Sequence, residues 1–297
     1  DRLQPVMQEA YRLAYIRKPE FMGNTRTEEK DPKFKVISDL PWSEQEINER
    51  LAAYRQLSDK VEQEWHALPA QKKETYFQLV KYPVQAAAQM NNKLLTAQLA
   101  RHGKADWADS DRAYDSIVSL TKTYNTTKWN RMMDFQPRRL LVFNRVERKA
   151  LSSGLLEKPQ AVYTWNGADC VEGASVICEG LGYEGKAVAV EKKKELTFEF
   201  AAWETDSVEV EVRLLPNHPV EGERLRFTIS LDGSATEAVS YETKGRSEEW
   251  KENVLCNQAV RRMILPVARK ASHRLIFTAL DEGVVLDQIY LYTPRIK

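Results

Sequence analysis

The period of the apolar residues changes once along this chain, and that change restricts the fold more than any other feature. From Asp1 to about Asn130 apolar residues recur at steps of three and four, and from about Ala161 they recur at steps of two. The first period lines one face of a helix and the second lines one face of a strand, so neither half can adopt the other's structure. The fold class expected is therefore α+β multidomain: an N-terminal antiparallel helical bundle over 1–150, linker included, followed by an antiparallel β-sandwich over 151–297.

The bundle half has clear start and stop signals. Pro41-Trp42-Ser43-Glu44-Gln45-Glu46 reads as a capping box: Ser43 accepts from the Glu46 N–H, and the Glu46 carboxylate reaches back to Ser43. Ile47, Leu51, Tyr54, Leu57, Val61, Trp65 and Leu68 follow on one face until Pro69 stops the helix. An earlier amphipathic pattern runs through Leu3, Val6, Met7, Ala10, Leu13 and Ala14. A chain that opens so directly into a helix looks excised from something longer, or matured by cleavage. A helix capped by Ser110 is predicted to run to Tyr124, with Tyr114, Ile117 and Leu120 inward. Between them lies YFQLVKYPVQAAAQMNNKLLTAQ (76–98), where Pro83 removes a donor and predicts two helical pieces.

In the second half Leu196, Phe198 and Phe200 alternate with Thr197 and Glu199. Val208 to Leu214 and Leu225 to Leu231 alternate likewise, the latter ending in the turn pair Asp232-Gly233. Leu275–Phe277 and Val284–Tyr292 supply two more strands, and Leu151-Ser152-Ser153-Gly154 to Pro159 has linker composition.

Charge and motifs exclude several functions. With 44 basic and 43 acidic residues there is no basic excess to hold nucleic acid or an anionic membrane, so neither is expected as a partner. No apolar run of about 18 residues is present to span a bilayer. Cys170, Cys178 and Cys256 have no zinc spacing, the four histidines are scattered, and no cofactor or metal is expected. Gly180-Leu181-Gly182-Tyr183-Glu184-Gly185 lacks the following helix that a dinucleotide loop needs and reads as a turn.

Several residues carry two readings. In Arg17 to Glu28, the charged residues Arg17, Glu20 and Arg26 can grip carboxylates, or can tie the loop to neighbouring helices. Asn91 and Asn92 face a joint or cleft, or are plain helix surface. Trp129 and Trp165 stack on sugar faces, or fill a core, and the same choice applies to Trp203 and Trp250. Asp287, between Val285 and Ile289 on an inward-looking face, is a satisfied structural aspartate or a calcium or sugar ligand.

Arg17–Met22, the 76–98 run, KWNRMMDFQPRRL (128–140), SVICEGLGYEGKAVAV (175–190) and EGVVLDQIYLY (282–292) together resemble glycoside hydrolase family 115, the xylan α-1,2-glucuronidases. The resemblance keeps the order of segments over nearly the whole chain. It implies an enzyme that removes glucuronic acid or its 4-O-methyl ether from xylan side chains by inverting hydrolysis. It also implies an α/β domain and a (β/α)8 barrel upstream of a helical bundle and a sandwich. A barrel needs roughly 250 residues of alternating strand and helix, and no such alternation occurs here. The chain is thus expected to be the non-catalytic C-terminal portion. Its expected partners are the upstream catalytic domain, glucuronoxylan or a related plant polysaccharide, and a second copy in a homodimer. Its expected location is periplasmic or extracellular. Family members follow the KW-x-x-MM element with a different stretch, so no binding role passes to Asp134–Arg139. A stand-alone carbohydrate-binding or interaction module is the alternative.

Overall fold

The structure, a computed structural model, describes residues 3–26, 30–32, 36–149, 154–173, 176–269 and 271–294. Thr27 and Glu28 of the charged loop, Leu151 to Ser153 of the expected linker, and Ser175 lie outside the described residues. Contacts divide the chain into two units, Asp1–Lys158 and Pro159–Lys297, so the division falls after Lys158.

The first unit contains α1 (Leu3–Ile16), α2 (Glu44–Ala67), α3 (Ala70–Tyr76), α4 (Tyr82–Arg101) and α5 (Trp107–Tyr124). The capping box forms as the sequence predicts: the Ser43 hydroxyl accepts from the Glu46 N–H at 3.3 Å, and Glu46 accepts from the Ser43 N–H at 2.7 Å. Helix α4 packs on both α2 and α5, and α1 packs on α2. From Met90 to Arg101 every residue of α4 except Asn92 is buried, so α4 is the axis of the unit.

Two helix boundaries differ from expectation. Helix α5 starts at Trp107, capped by Asp106, whose carboxylate accepts from the Ala108 N–H at 2.9 Å. Ser110 sits one turn inside the helix, where its buried hydroxyl donates to the Lys93 carbonyl at 2.7 Å and joins α5 to α4. Pro83 does not split the 76–98 run into two pieces. Phe77–Lys81 widens into a π turn, and the Tyr82 N–H reaches the Phe77 carbonyl five residues back. The wider turn absorbs the missing proline donor and leaves the helix path continuous from α3 to α4.

The second unit is a sandwich of two antiparallel sheets. One is ordered β10 (Ala259–Pro266), β6 (Ser207–Leu214), β12 (Val285–Tyr292), β4 (Val188–Ala189), β3 (Val176–Ile177), with β1 (Tyr163–Asn166) also on β12. The other is β2 (Glu172–Gly173), β5 (Glu195–Ala201), β11 (Ser272–Ala279), β7 (Arg226–Leu231), β8 (Ser234–Ala235), with β9 (Val239–Ser240) on β7. The alternating residues from Leu196, Val208, Leu225 and Leu275 onward meet in one apolar core. Asp232 and Gly233, at φ 53° and 90°, form the left-handed pair of a two-residue hairpin between β7 and β8. A helix that alternation did not predict, α6 (Glu248–Cys256), is capped by Ser247 and ends at left-handed Asn257.

Candidate functional site

The charged loop after α1 is fastened from inside the helical unit. Arg17 is almost fully buried. Its Nε donates to the Phe21 carbonyl at 2.9 Å, and its Nη2 to Asn24 Oδ1 at 3.2 Å. Asn24, at φ 52°, donates in turn to the Asp39 carbonyl. Asp39 is gripped by Arg101 at 2.5 Å and by His102 at 2.6 Å, both at the end of α4. Arg26 is buried and Glu20 is exposed on a short 3-10 turn.

Arg50, which sequence reasoning did not single out, joins this loop to α4. It donates to the Arg17 carbonyl and to Asn91 Oδ1, both at 2.7 Å, while its guanidinium lies 5.3 Å from the Trp42 ring and 5.2 Å from that of Tyr54. Asn91 is fully buried and its amide donates to the Ala87 carbonyl at 2.8 Å. Arg17 and Asn91 are thus linked through Arg50, with the Arg17 side chain directed at Phe21 and Asn24 and that of Asn91 at Ala87 and Arg50. Asn92 is half-buried one position on, and its carbonyl accepts from the Thr96 hydroxyl. The signal for Arg50 was available: it follows Ile47 by three and precedes Tyr54 by four, on the apolar stripe.

Lys93 is the second residue missed, and the sole charge between Lys81 and Arg101 in the sequence. Its Nζ is buried and donates to the carbonyls of Val142 at 2.6 Å and Asn144 at 2.9 Å. Burial pushes its pKa down to about 7. An uncharged amine has two N–H donors, and the two carbonyls satisfy both.

Trp129 and Trp165 occupy different settings. Trp129 is half-buried in the turn after α5, with the Lys128 ammonium 5.5 Å from its ring. The side chain of Asn125, just past α5, pairs with both the N–H and the carbonyl of Met133 and fixes that turn. Trp165 on β1 points into the sandwich, stacked on Tyr163 at 5.6 Å and 11°, with Phe198 5.6 Å away. Trp203 is buried there too, its indole N–H donating to the Ser207 carbonyl at 2.9 Å.

The outer face of the first sheet holds the densest polar arrangement of the second unit. Register places Arg262, Glu211, Tyr290 and Thr164 in one row across four strands. Glu211 is buried between Arg213 at 2.7 Å and Arg262 at 2.6 Å. Burial pushes its pKa up, but the two guanidinium groups outweigh that and hold it below the ordinary value. Arg213 also lies 3.8 Å from the centre of the Tyr290 ring. Asp287 departs from the inward position expected of it. The pairing shifts between Leu286 and Gln288, so Asp287 is the extra residue of a bulge, and Leu286, Ile289 and Leu291 face the core instead. Its fully buried carboxylate accepts from the Tyr183 N–H at 3.0 Å and the Gln258 amide at 2.8 Å. Burial raises its pKa. Gly182, at φ 91°, makes room for it, since a Cβ there would lie 2.3 Å from Asp287 Oδ1. The 180–185 segment is thus a turn that covers a structural aspartate.

Fold and sites together define a two-part scaffold, helical then β-sandwich, in which the most deeply buried polar groups hold loops in place. Residues 174–297 match the glycosyl hydrolase family 115 C-terminal domain. A solved family 115 4-O-methyl-alpha-glucuronidase, with specificity for decorated arabinogalactans, is 61% identical over 99% of the chain at a TM-score of 0.96. The chain is the C-terminal helical and sandwich region of a family 115 glycosyl hydrolase. It spans 39% of the length of that solved relative. Family 35 carbohydrate binding modules from an environmental isolate and from Clostridium thermocellum are each 11% identical. They cover 46% and 44% of this chain, and 99% and 98% of their own, at TM-scores of 0.36 and 0.35, too low to carry an inference. No curated protein matches the chain in sequence.

Proposed function

We propose that the whole protein is an α-glucuronidase that removes glucuronic acid or its 4-O-methyl ether from plant polysaccharide side chains, and that this chain is its non-catalytic C-terminal portion. The observation that carries the reading is the 61% identity over 99% of the chain to a 4-O-methyl-alpha-glucuronidase. In this reading the two units support an upstream catalytic barrel, shape its cleft and hold a homodimer, and the enzyme is exported to the periplasm or cell exterior. Glucuronoxylan is one substrate. Decorated arabinogalactan is a second, favoured by the specificity of that relative.

The buried acids support a non-catalytic role. Glycosidic hydrolysis needs two carboxylates that reach the sugar from opposite sides. Glu211 is held by two arginines and Asp281 by Arg226 at 2.8 Å. Asp287 shares only the raised pKa of a general acid, and it is sealed beneath Tyr183 and Gly182. The full-length protein is expected to release 4-O-methylglucuronic acid from glucuronoxylan or from decorated arabinogalactan, and the 297-residue chain to release none. Turnover by the chain alone, or none by the full-length protein on either glycan, would overturn the reading.

A further inference from the structure

Helix α4 carries two basic side chains, Lys93 and Arg101, and they are treated differently. Arg101 is paired with Asp39, whereas Lys93 meets no acid among the described residues. Its side chain instead crosses to the segment after α5, where Leu141–Phe143 makes one 3-10 turn. Inside that turn the Asn144 N–H takes the Leu141 carbonyl. The next carbonyls, of Val142 and Asn144, are taken by the Lys93 amine at 2.6 and 2.9 Å.

The groups around this tie carry little charge that could hold an ammonium. From α5, Ser110 bonds the Lys93 carbonyl, and the Tyr114 ring centre lies 5.9 Å from the amine. Arg145, in the tied segment, lies 4.6 Å from the same ring and is itself a cation. The nearby acids of α5, Asp111 and Asp115, are bonded by Arg145 and Arg148. Val142 sits in an apolar cluster with Met22, Leu40, Ile47 and Leu94, which adds no charge. An ammonium has three N–H donors and finds two carbonyls here, while a neutral amine has two donors and matches both.

We propose that Lys93 is a proton-controlled tie: as a neutral amine it holds the 141–146 segment on α4, and on taking up a proton it lets that segment open locally. Burial lowers the amine's pKa to about 7 in the tied state, and opening returns it to water, where a lysine takes 10.5. The closed state therefore binds fewer protons than the open one. The tie strengthens as pH rises from about 7 toward 10, and below 7 it is weakest and changes little further.

The test is peptide-resolved hydrogen exchange of the full-length protein at pH 6, 7, 8 and 9, each rate divided by the intrinsic rate at that pH. The probes are the N–H groups of Phe143 and Asn144, which are held by the carbonyls of Leu140 and Leu141. Their open population is expected to fall roughly twofold from pH 6 to 7 and roughly tenfold from pH 8 to 9. Peptides of α2 and of 195–292 are expected to show no such trend. Lys93→Gln, which keeps two neutral N–H donors, is expected to flatten the dependence on pH, as is Lys93→Met. A flat series in the unmutated protein, which needs no variant to fold, would overturn the proposal. So would an equal fall across α2, since the unit would then open as a whole, or a tenfold fall that persists in Lys93→Gln.

Discussion

Lys93 in the helical unit and Asp287 in the sandwich are one electrostatic problem met twice, with opposite sign. Each is buried and bonded to neutral groups: Lys93 to two carbonyls, Asp287 to a backbone N–H and an amide. Burial without a bonded counter-ion moves each pKa toward its uncharged form, down for the lysine and up for the aspartate. Both groups do local work. Lys93 pins the segment after α5 to the central helix, and Asp287 pins the 180–185 turn to a bulge. The helical unit, made of helices and long connections, uses buried basic side chains to bind loop carbonyls. The sandwich, whose strands satisfy one another, keeps its polar groups outside its apolar core.

The largest effect expected from breaking this contrast is at Arg50. Arg50→Ala strands the Arg17 carbonyl and Asn91 Oδ1 inside the unit and removes the cation from between Trp42 and Tyr54. A loss of about 3 kcal/mol is expected. Hydrogen exchange read by peptide should show faster exchange across 44–101 and none of it across 195–292. Equal loss of protection in both regions would show that the two units do not hold their polar groups independently.

Arg50 also marks how far the sequence could be read. The capping box at Ser43, the alternation over 196–200 and 208–214, and the Asp232-Gly233 turn were legible because each is a local pattern with a local cause. The start of α5 was not, since Asp106 and Ser110 are both good caps and only the packing of Ser110 against α4 separates them. Pro83 announced a disturbance, but a π turn and a break have the same sequence signature. Asp287 was placed on the wrong face because one bulge residue reverses every later position of a strand. Arg50 and Lys93 needed tertiary context: nothing in one sequence says which carbonyls a buried cation will meet.

The next effect is a pH slope confined to the helical unit. Lys93 titrates at about 7 when folded against 10.5 for a free lysine, so the unfolded chain binds more protons between those values. Stability from this residue therefore rises as pH increases from about 7 toward 10, by at most about 1.4 kcal/mol for each pH unit. Below 7 the group is charged in both states and adds no slope. Lys93→Met removes the slope and leaves two carbonyls unmet. Denaturation midpoints at pH 7, 8 and 9 with the same slope in both proteins would show that Lys93 is charged and paired when folded.

The smallest effect is at Asp287 and has the reverse sign. Its folded pKa lies above the unfolded 3.8, so the folded state binds more protons in that window and stability falls as pH rises through it. Acidification from neutral pH should thus stabilise the sandwich slightly until Glu211 begins to protonate. Glu211 opposes it because its pKa is held low by Arg213 and Arg262, so its contribution falls progressively as pH drops from about 4.5 through its lower folded pKa. Asp287→Asn keeps one acceptor for the Tyr183 N–H but turns a second N–H donor toward Gln258, so a loss of about 1 kcal/mol is expected at the acid end of the folded range. The loss should shrink as pH rises, because burial opposes ionisation of the wild-type residue and asparagine has no charge to bury. A variant whose loss grows as pH rises would mean that Asp287 is stabilised as an anion. The symmetry with Lys93 would then be broken from the sandwich side.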